Sequence, residues 1–316
     1  MKGALLPLFA ALIAILLLAL SGAAFGHSPR ELLAILIGGS VGSPFALQNT
    51  LFKSVPLLLT GLSVLLAFRA GVWNIGGEGQ FIVGAIAALL ASRWGAVASL
   101  LASMLAGAAW ASIATGMRLW RNAPEVLTTI LLNFTALHLL GWCVNGPLRE
   151  RAAMYPQTDL AEAALPPFAG LALALLVSVG AWWLLYKTME GLRLRATGFN
   201  ASAARWAGID VRRQLARAMA ISGAAAGLAG GIELLAVTHR LFERFTSGYG
   251  YSGIAVALLA QLHPIATIAS AFFFGALVTG AGELQRTANI SAAVATFGQA
   301  VVILILIGFE HVRNRR

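Results

Sequence analysis

Six stretches of this chain, residues 3–29, 94–117, 126–148, 163–186, 245–282 and 287–309, contain no Asp, Glu, Lys or Arg. Each is long enough, coiled as a helix, to cross about 30 Å of hydrocarbon. Charged residues make up only 11% of the chain, against roughly 25% in soluble domains. The expectation is therefore an all-α, polytopic membrane protein rather than a soluble fold. The net charge of +10 would suggest nucleic acid in a soluble chain. Here the basic residues sit mainly in short connections between apolar runs, where membrane topology accounts for them, so no nucleic-acid partner is expected.

Apolar runs between charges and Gly/Pro punctuation place about ten transmembrane helices, near 4–20, 50–68, 76–92, 95–117, 126–145, 168–186, 217–237, 250–262, 265–283 and 291–310. Lys2 ahead of the first run imitates a signal peptide, but the run is long for one and further spans follow. With the N-terminus in the cytoplasm, 14 of the 22 Lys/Arg fall on the inner side, which predicts both termini inside. The most basic connection, Lys187–Arg217, carries seven of them and is expected in the cytoplasm. The connection Asn145–Pro167, with Glu150, Asp159 and Glu162, is expected outside. The one cysteine, Cys143, excludes an internal disulfide and a Cys-rich metal site. No lysine follows a glycine, so no phosphate-binding P-loop is present and any energy-coupling domain belongs to another polypeptide.

Two motifs match only on paper. Gly248-Tyr249-Gly250-Tyr251-Ser252-Gly253 has dinucleotide-fingerprint spacing, but no strand precedes it and no acid follows about 20 residues on. Gly38-Gly39-Ser40-Val41-Gly42 has nucleophile-elbow spacing in what reads as a short outer connection without a β/α framework.

Other signals survive. Between Arg69 and Gln80, four glycines fall within Gly71–Gly79, and Asn74, Glu78 and Gln80 lie beside or inside the apolar phase. A carboxylate there costs a few kcal/mol unless paired or wet. Irregular backbone at that depth is tolerated only when buried in protein or lining water. An interfacial turn with a snorkelling Glu and a gate on a polar pathway both stand. Glu125, Thr129 and Asn133, spaced four apart, make a polar stripe on one helix face, turned either to an aqueous path or to a partner helix. Gly223, Gly227 and Gly231 form a small-residue face for close helix packing. In the basic connection, Asn200 is a good N-cap and Gly208 a good C′ residue, which predicts a two-turn helix between them. Too short to be stable alone, it docks either into another protein or onto the membrane surface.

At these residues the chain resembles permease subunits of bacterial ABC importers, in the branch serving nucleosides and simple sugars. It looks most like the first of two permeases in nucleoside systems that work with a Bmp-type lipoprotein. The matching pieces are FRAGVWNIGGEGQ at 68–80, EVLTTILLNF at 125–134, GLRLRATGFNASAARWAGI at 191–209, ISGAAAGLAGGIE at 221–233, GYGYSGIAVALLAQLHP at 248–264 and FGALVTGAGELQ at 274–285. The resemblance implies that residues 1–316 form a single transmembrane permease domain in the inner membrane. It implies that the connection 187–217 couples to a cytoplasmic ATP-binding subunit, with Gly198, Asn200, Ala203, Ala204 and Gly208 as coupling residues. It implies that the 74–80 segment, with Asn74, Glu78 and Gln80, lines the translocation route near the subunit interface; the stripe of Glu125, Thr129 and Asn133 is expected, from its spacing, to face the same pathway. ATP and Mg²⁺ would belong to the ATPase, this chain needing no cofactor. A second permease, a different chain as is usual in the nucleoside type, and an extracytoplasmic solute-binding lipoprotein complete the implied assembly for a small polar solute. Trp73 replaces the more usual aliphatic residue or Phe, which leaves the solute open. The Gly-rich segments 71–79 and 248–253 each precede an apolar run, the pattern of two related halves with interrupted helices.

Two other functions compete: a proton-coupled secondary carrier using Glu78 or Glu233, and a membrane enzyme acting on lipid. The second needs a His/Asp/Glu cluster at one membrane face, and the sequence shows none.

Overall fold

The computed structural model describes residues 28–289, together with 291, 297 and 300. The expected first span at 4–20 lies outside the described residues, as does most of the tenth at 291–310. Among the described residues the chain is all-helical, with two isolated β-bridges, Arg149 to Thr158 and Gln157 to Phe242, in place of any strand.

Six helices among the described residues are long and apolar enough to cross a membrane: α2 (Pro44–Arg69), α4 (Ala96–Arg121), α5 (Glu125–Asn145), α6 (Pro167–Lys187), α9 (Val211–Glu233, continued by a π-helical turn to Thr238) and α11 (Pro264–Thr287). Before them comes α1 (Pro29–Val41), capped by Ser28 and started by Pro29, where the sequence suggested a plain connection. The Gly38–Gly42 pattern closes this helix, and Ser40 Oγ donates to the Ile37 carbonyl.

The other two expected spans are not helical along their whole length. The run at 76–92 is α3 (Gly77–Ala91, 15 residues) and that at 250–262 is α10 (Tyr249–Leu259, 11 residues). At 1.5 Å per residue they reach about 22 and 16 Å, short of a 30 Å core. Glycine marks both breaks: Gly71 at φ +77° closes α2 six residues before α3 begins, and Gly248 at φ +79° caps the start of α10, both in the left-handed region that a helix does not enter. The six long helices coincide with the remaining expected runs, with extensions of several residues only at Pro44, Arg121, Val211 and Thr287.

The basic connection folds as α7 (Met189–Phe199) and α8 (Ala201–Trp206). Asn200 Oδ1 accepts from Ala203 N at 3.0 Å, and Gly208 adopts φ +80° past the end. The inner layer consists of α2 and α9, each with 78% of its apolar window buried. By contrast α4, α5 and α6, at 22–33%, turn most of their surface outward. Gly223 and Gly227 of α9 lie against Gly107 and Ser103 of α4, and Gly84 of α3 rests on Gly227. A Cβ at Gly227 would overlap the α4 backbone, so this approach requires glycine. Gly231 meets the Ser103 side chain one turn further along.

Candidate functional site

The two short helices begin at one place and run apart. Gly250 of α10 packs on the Gly77–Glu78 backbone of α3, so closely that no side chain fits between them. The Tyr249 carbonyl accepts from Thr60 Oγ1 of α2 at 3.0 Å. Thr60 lies nine residues before Arg69, about 14 Å along a helix that is roughly 39 Å long. The junction is therefore near the middle of the span. From it α10 descends toward Leu262, whose carbonyl Arg69 holds at 2.9 Å. The other half, α3, climbs toward Ser92, which accepts from Glu162 N in the opposite connection.

Each N-terminus presents backbone N–H groups with no partner in its own helix, and neither cap residue bonds them with a side chain. The neighbouring helix supplies the cap instead. Glu78, 2% exposed, accepts Gly250 N at 2.7 Å on one carboxylate oxygen and Thr246 Oγ1 on the other. Its charge meets the positive end of α10, which favours an anion. Asn133 of α5, fully buried, performs the same service for α3. Its Oδ1 accepts Gly79 N at 2.8 Å, while Nδ2 donates to the Ile75 carbonyl at 2.9 Å and to Tyr251 Oη at 3.3 Å. One side chain thus joins α5, the irregular segment and both half-helices.

The irregular backbone at 70–76 is fixed by further polar bonds. Asn74 and Gln80 exchange two amide hydrogen bonds at 3.0 Å, and Asn74 Oδ1 accepts Gly76 N at 2.9 Å. Asn74 Nδ2 also donates to Ser222 Oγ of α9 at 2.7 Å, and Ser222 Oγ donates to the Ser63 carbonyl of α2 at 2.7 Å. These groups are buried and paired, the condition under which irregular backbone persists at membrane depth.

Of the residues singled out from sequence, Asn74, Glu78, Gln80 and Asn133 meet at this junction, with Thr129 next to Gly76 and bonded to the Glu125 carbonyl. The Glu125 carboxylate stands apart, paired with Arg118 at 2.6 Å. Glu233 is buried at the end of α9, beside Phe52 and Val55. Thr60, Ser63, Ser222, Thr246 and Tyr251 belong to the junction without having been singled out. Thr246 and Tyr251 flank the very glycines that stop the helix, which is the signal that would have found them.

At the Arg69 end, Gly198 of α7 lies directly on the Arg69–Ala70 backbone. Ala204 of α8 is buried against the cluster of Val72, Val211 and Met219, so it faces its own chain. Asn200, Ala203 and Gly208 are exposed, and beside them Phe199 and Trp206 are 88% and 93% exposed.

A multi-pass helical protein whose two interrupted helices meet end to end at mid-depth, around a buried polar network, has the construction of a solute-translocating membrane subunit. The chain belongs to the family described as branched-chain amino acid transport system / permease component, whose model matches residues 46–308. It is a permease subunit of an ABC transporter, a transport component and not an enzyme. It is 32% identical to a glucose ABC transporter permease protein of Haloferax volcanii, over 93% of this chain and 84% of that one. It is 30% identical to a guanosine ABC transporter permease protein of Bacillus subtilis, over 96% and 92% respectively. A nucleoside ABC transporter permease protein of Lactococcus lactis is 28% identical, over 96% and 91%. These similarities give no support to a proton-coupled carrier.

Proposed function

We propose that the chain is one of two permeases of an ATP-driven importer for nucleosides or related ribose-containing or simple-sugar solutes. The guanosine relative of Bacillus subtilis has a counterpart permease in the same organism that also matches this chain, at 30% identity over 72% of it. That pairing supports a second, different permease beside this one. An extracytoplasmic binding lipoprotein delivers the solute, and a cytoplasmic ATP-binding subunit, carrying ATP and Mg²⁺, drives transport. The chain is one transmembrane domain over 1–316 in the cytoplasmic membrane, with ten crossings counting the two broken ones and both termini inside.

The observation that carries this reading is the head-to-head junction of α3 and α10. Two half-helices diverging from one point are what two related halves of opposed direction produce. In this arrangement Asn74, Glu78, Gln80, Thr129 and Asn133 act on the route by holding its irregular wall in place, and Glu125 marks its inner mouth. Glycine packing at Gly223, Gly227 and Gly231 lets α9 move against α4 without opening a void. The ATPase seats on the exposed side of α8, at Asn200, Ala203 and Gly208, with Phe199 and Trp206 as apolar anchors. Gly198 and Ala204 secure the arm from behind.

In cells that take up labelled guanosine through this system, deletion of the chain abolishes uptake. The wild-type chain restores it and a Trp206→Glu chain, present in the membrane at equal amount, does not. Full uptake in the deletion strain contradicts the proposal.

A further inference from the structure

Arg69 occupies the point where the coupling arm, α2 and the α10–α11 turn converge. Above it, Gly198 presses on its own backbone carbonyl region, and Gly71, at φ +77°, faces the Gly198 Cα. To one side its Nε donates to the Leu262 carbonyl at 2.9 Å and its Nη2 to the Gln261 carbonyl at 3.4 Å. The same Nη2 reaches Tyr186 Oη at 3.3 Å, at the end of α6 just before the arm begins. The Tyr186 ring in turn lies under the Arg195 guanidinium of α7, 5.0 Å from centroid, and stacks with His263 at 5.5 Å.

The turn that Arg69 grips is unusual. Gln261 and Leu262 stand in succession at φ +50° and +54°. Left-handed backbone at two neighbouring non-glycine residues is costly for L-residues, and for a bulky Leu especially so. Such a conformation persists where the surroundings over-determine it: Gln261 N and Leu262 N donate back to the Leu258 and Ala257 carbonyls at 2.9 and 3.0 Å, and one guanidinium binds the two turn carbonyls. A planar fork with several donors does this where a single ammonium cannot. The turn terminates α10, an 11-residue helix whose other end is the Gly250 N–H held by Glu78.

We infer that Arg69 is a positioning residue that transmits displacement of the coupling arm, through the Gln261–Leu262 turn, to α10 and so to the mid-membrane junction. The inference rests on the proposed docking of the ATPase on the arm. A push on Gly198 moves the Arg69 backbone. The guanidinium carries the turn with it, and α10, about 16 Å of hydrogen-bonded rod, shifts Gly250 against Glu78. The Tyr186 contact makes the end of α6 follow, so arm and turn move as one body.

The test uses the complex reconstituted in vesicles, with Cys143→Ser removing the one native thiol of this chain and Ser252→Cys reporting on the first turn of α10. N-ethylmaleimide labelling of the permease is followed with and without ATP plus vanadate. With Arg69 in place, nucleotide changes the labelling rate at least about fivefold, the lower range of an allosteric coupling. In the Arg69→Lys background the ATPase still co-purifies, but the nucleotide response falls below about twofold. A full response in that background overturns the inference. Should Arg69→Lys fail to assemble, Tyr186→Phe decides: a response reduced by half or more supports the link, and an unchanged one overturns it. If nucleotide has no effect even with Arg69, while the ATPase is absent from the purified complex, the docking reading fails first and the link fails with it.

Discussion

Asn133 replaces a missing turn of helix with one amide. Its three hydrogen bonds satisfy an N–H of α3, a carbonyl of the irregular segment and the Tyr251 hydroxyl. Asn133→Leu keeps the branched shape with more bulk and leaves the Gly79 N–H and the Ile75 carbonyl without their partner, and a buried unpaired polar group costs about 1–3 kcal/mol. We expect a loss of about 2 kcal/mol or more, read as a lower unfolding temperature in detergent, while membrane insertion persists. Glu78→Ala removes the capping charge from α10 and is expected to cost about 3 kcal/mol by the same measurement. Glu78→Gln, which retains an acceptor oxygen, is expected to lose less. An unfolding temperature unchanged in all three would show that these bonds do not hold the junction. Asn74, Glu78, Gln80 and Asn133 were legible as candidates, because polar groups inside apolar runs are conspicuous. Their mutual bonding was not, since it joins residues from 74 to 251 through a junction that only the fold creates.

At the scale of elements, the sequence marks breaks better than lengths. The glycines at 71–79 and 248–253 announced interruption, yet both following runs read as complete spans because hydropathy counts apolar residues without registering where the helix starts. The α1 helix was hidden for the opposite reason: its run, Pro29–Val41, is too short to cross and so was read as a connection. The α4–α9 contact tolerates no added side chain. Gly227→Val would force Val methyls into the Ser103–Gly107 backbone, and overpacking of this kind costs typically 1–3 kcal/mol or more. The expected outcome is loss of the monodisperse detergent-extracted protein, with Gly180→Val, in open space, as the harmless comparison.

The coupling arm is tied to α9 by Glu190, whose carboxylate accepts from Gln214 at 3.3 Å, Arg217 at 2.6 Å and Arg193 at 2.8 Å. The Gln214 bond first, and then the two guanidinium groups, hold this carboxyl below the usual carboxylate value. A lowered value in the folded state stabilises the fold above the ordinary carboxylate range, and the contribution vanishes as pH falls through the folded value. Glu190→Gln is therefore expected to loosen the arm at neutral pH, seen as faster proteolysis between Lys187 and Arg217. Wild type and variant should converge as the pH falls well below 4.5, the ordinary value. A difference independent of pH would contradict the ionic tie.

For the whole molecule, the proposed reading makes the arm and the junction the two ends of one device, with the partner ATPase outside and the solute route within. Exposure separates roles that sequence left merged: Ala204→Glu, buried, should unseat the arm, whereas Trp206→Glu should spare the fold and abolish co-purification of the ATPase. The helix at Asn200–Gly208 was legible from its caps, but which face it turns inward was not, since six residues carry too little periodicity to show a side. The most direct measurement is uptake of labelled guanosine into inside-in vesicles containing the chain, its second permease, its ATPase and the binding lipoprotein. The account predicts accumulation that requires internal ATP and is unaffected by an uncoupler. Accumulation that continues without ATP and collapses on addition of the uncoupler would contradict it.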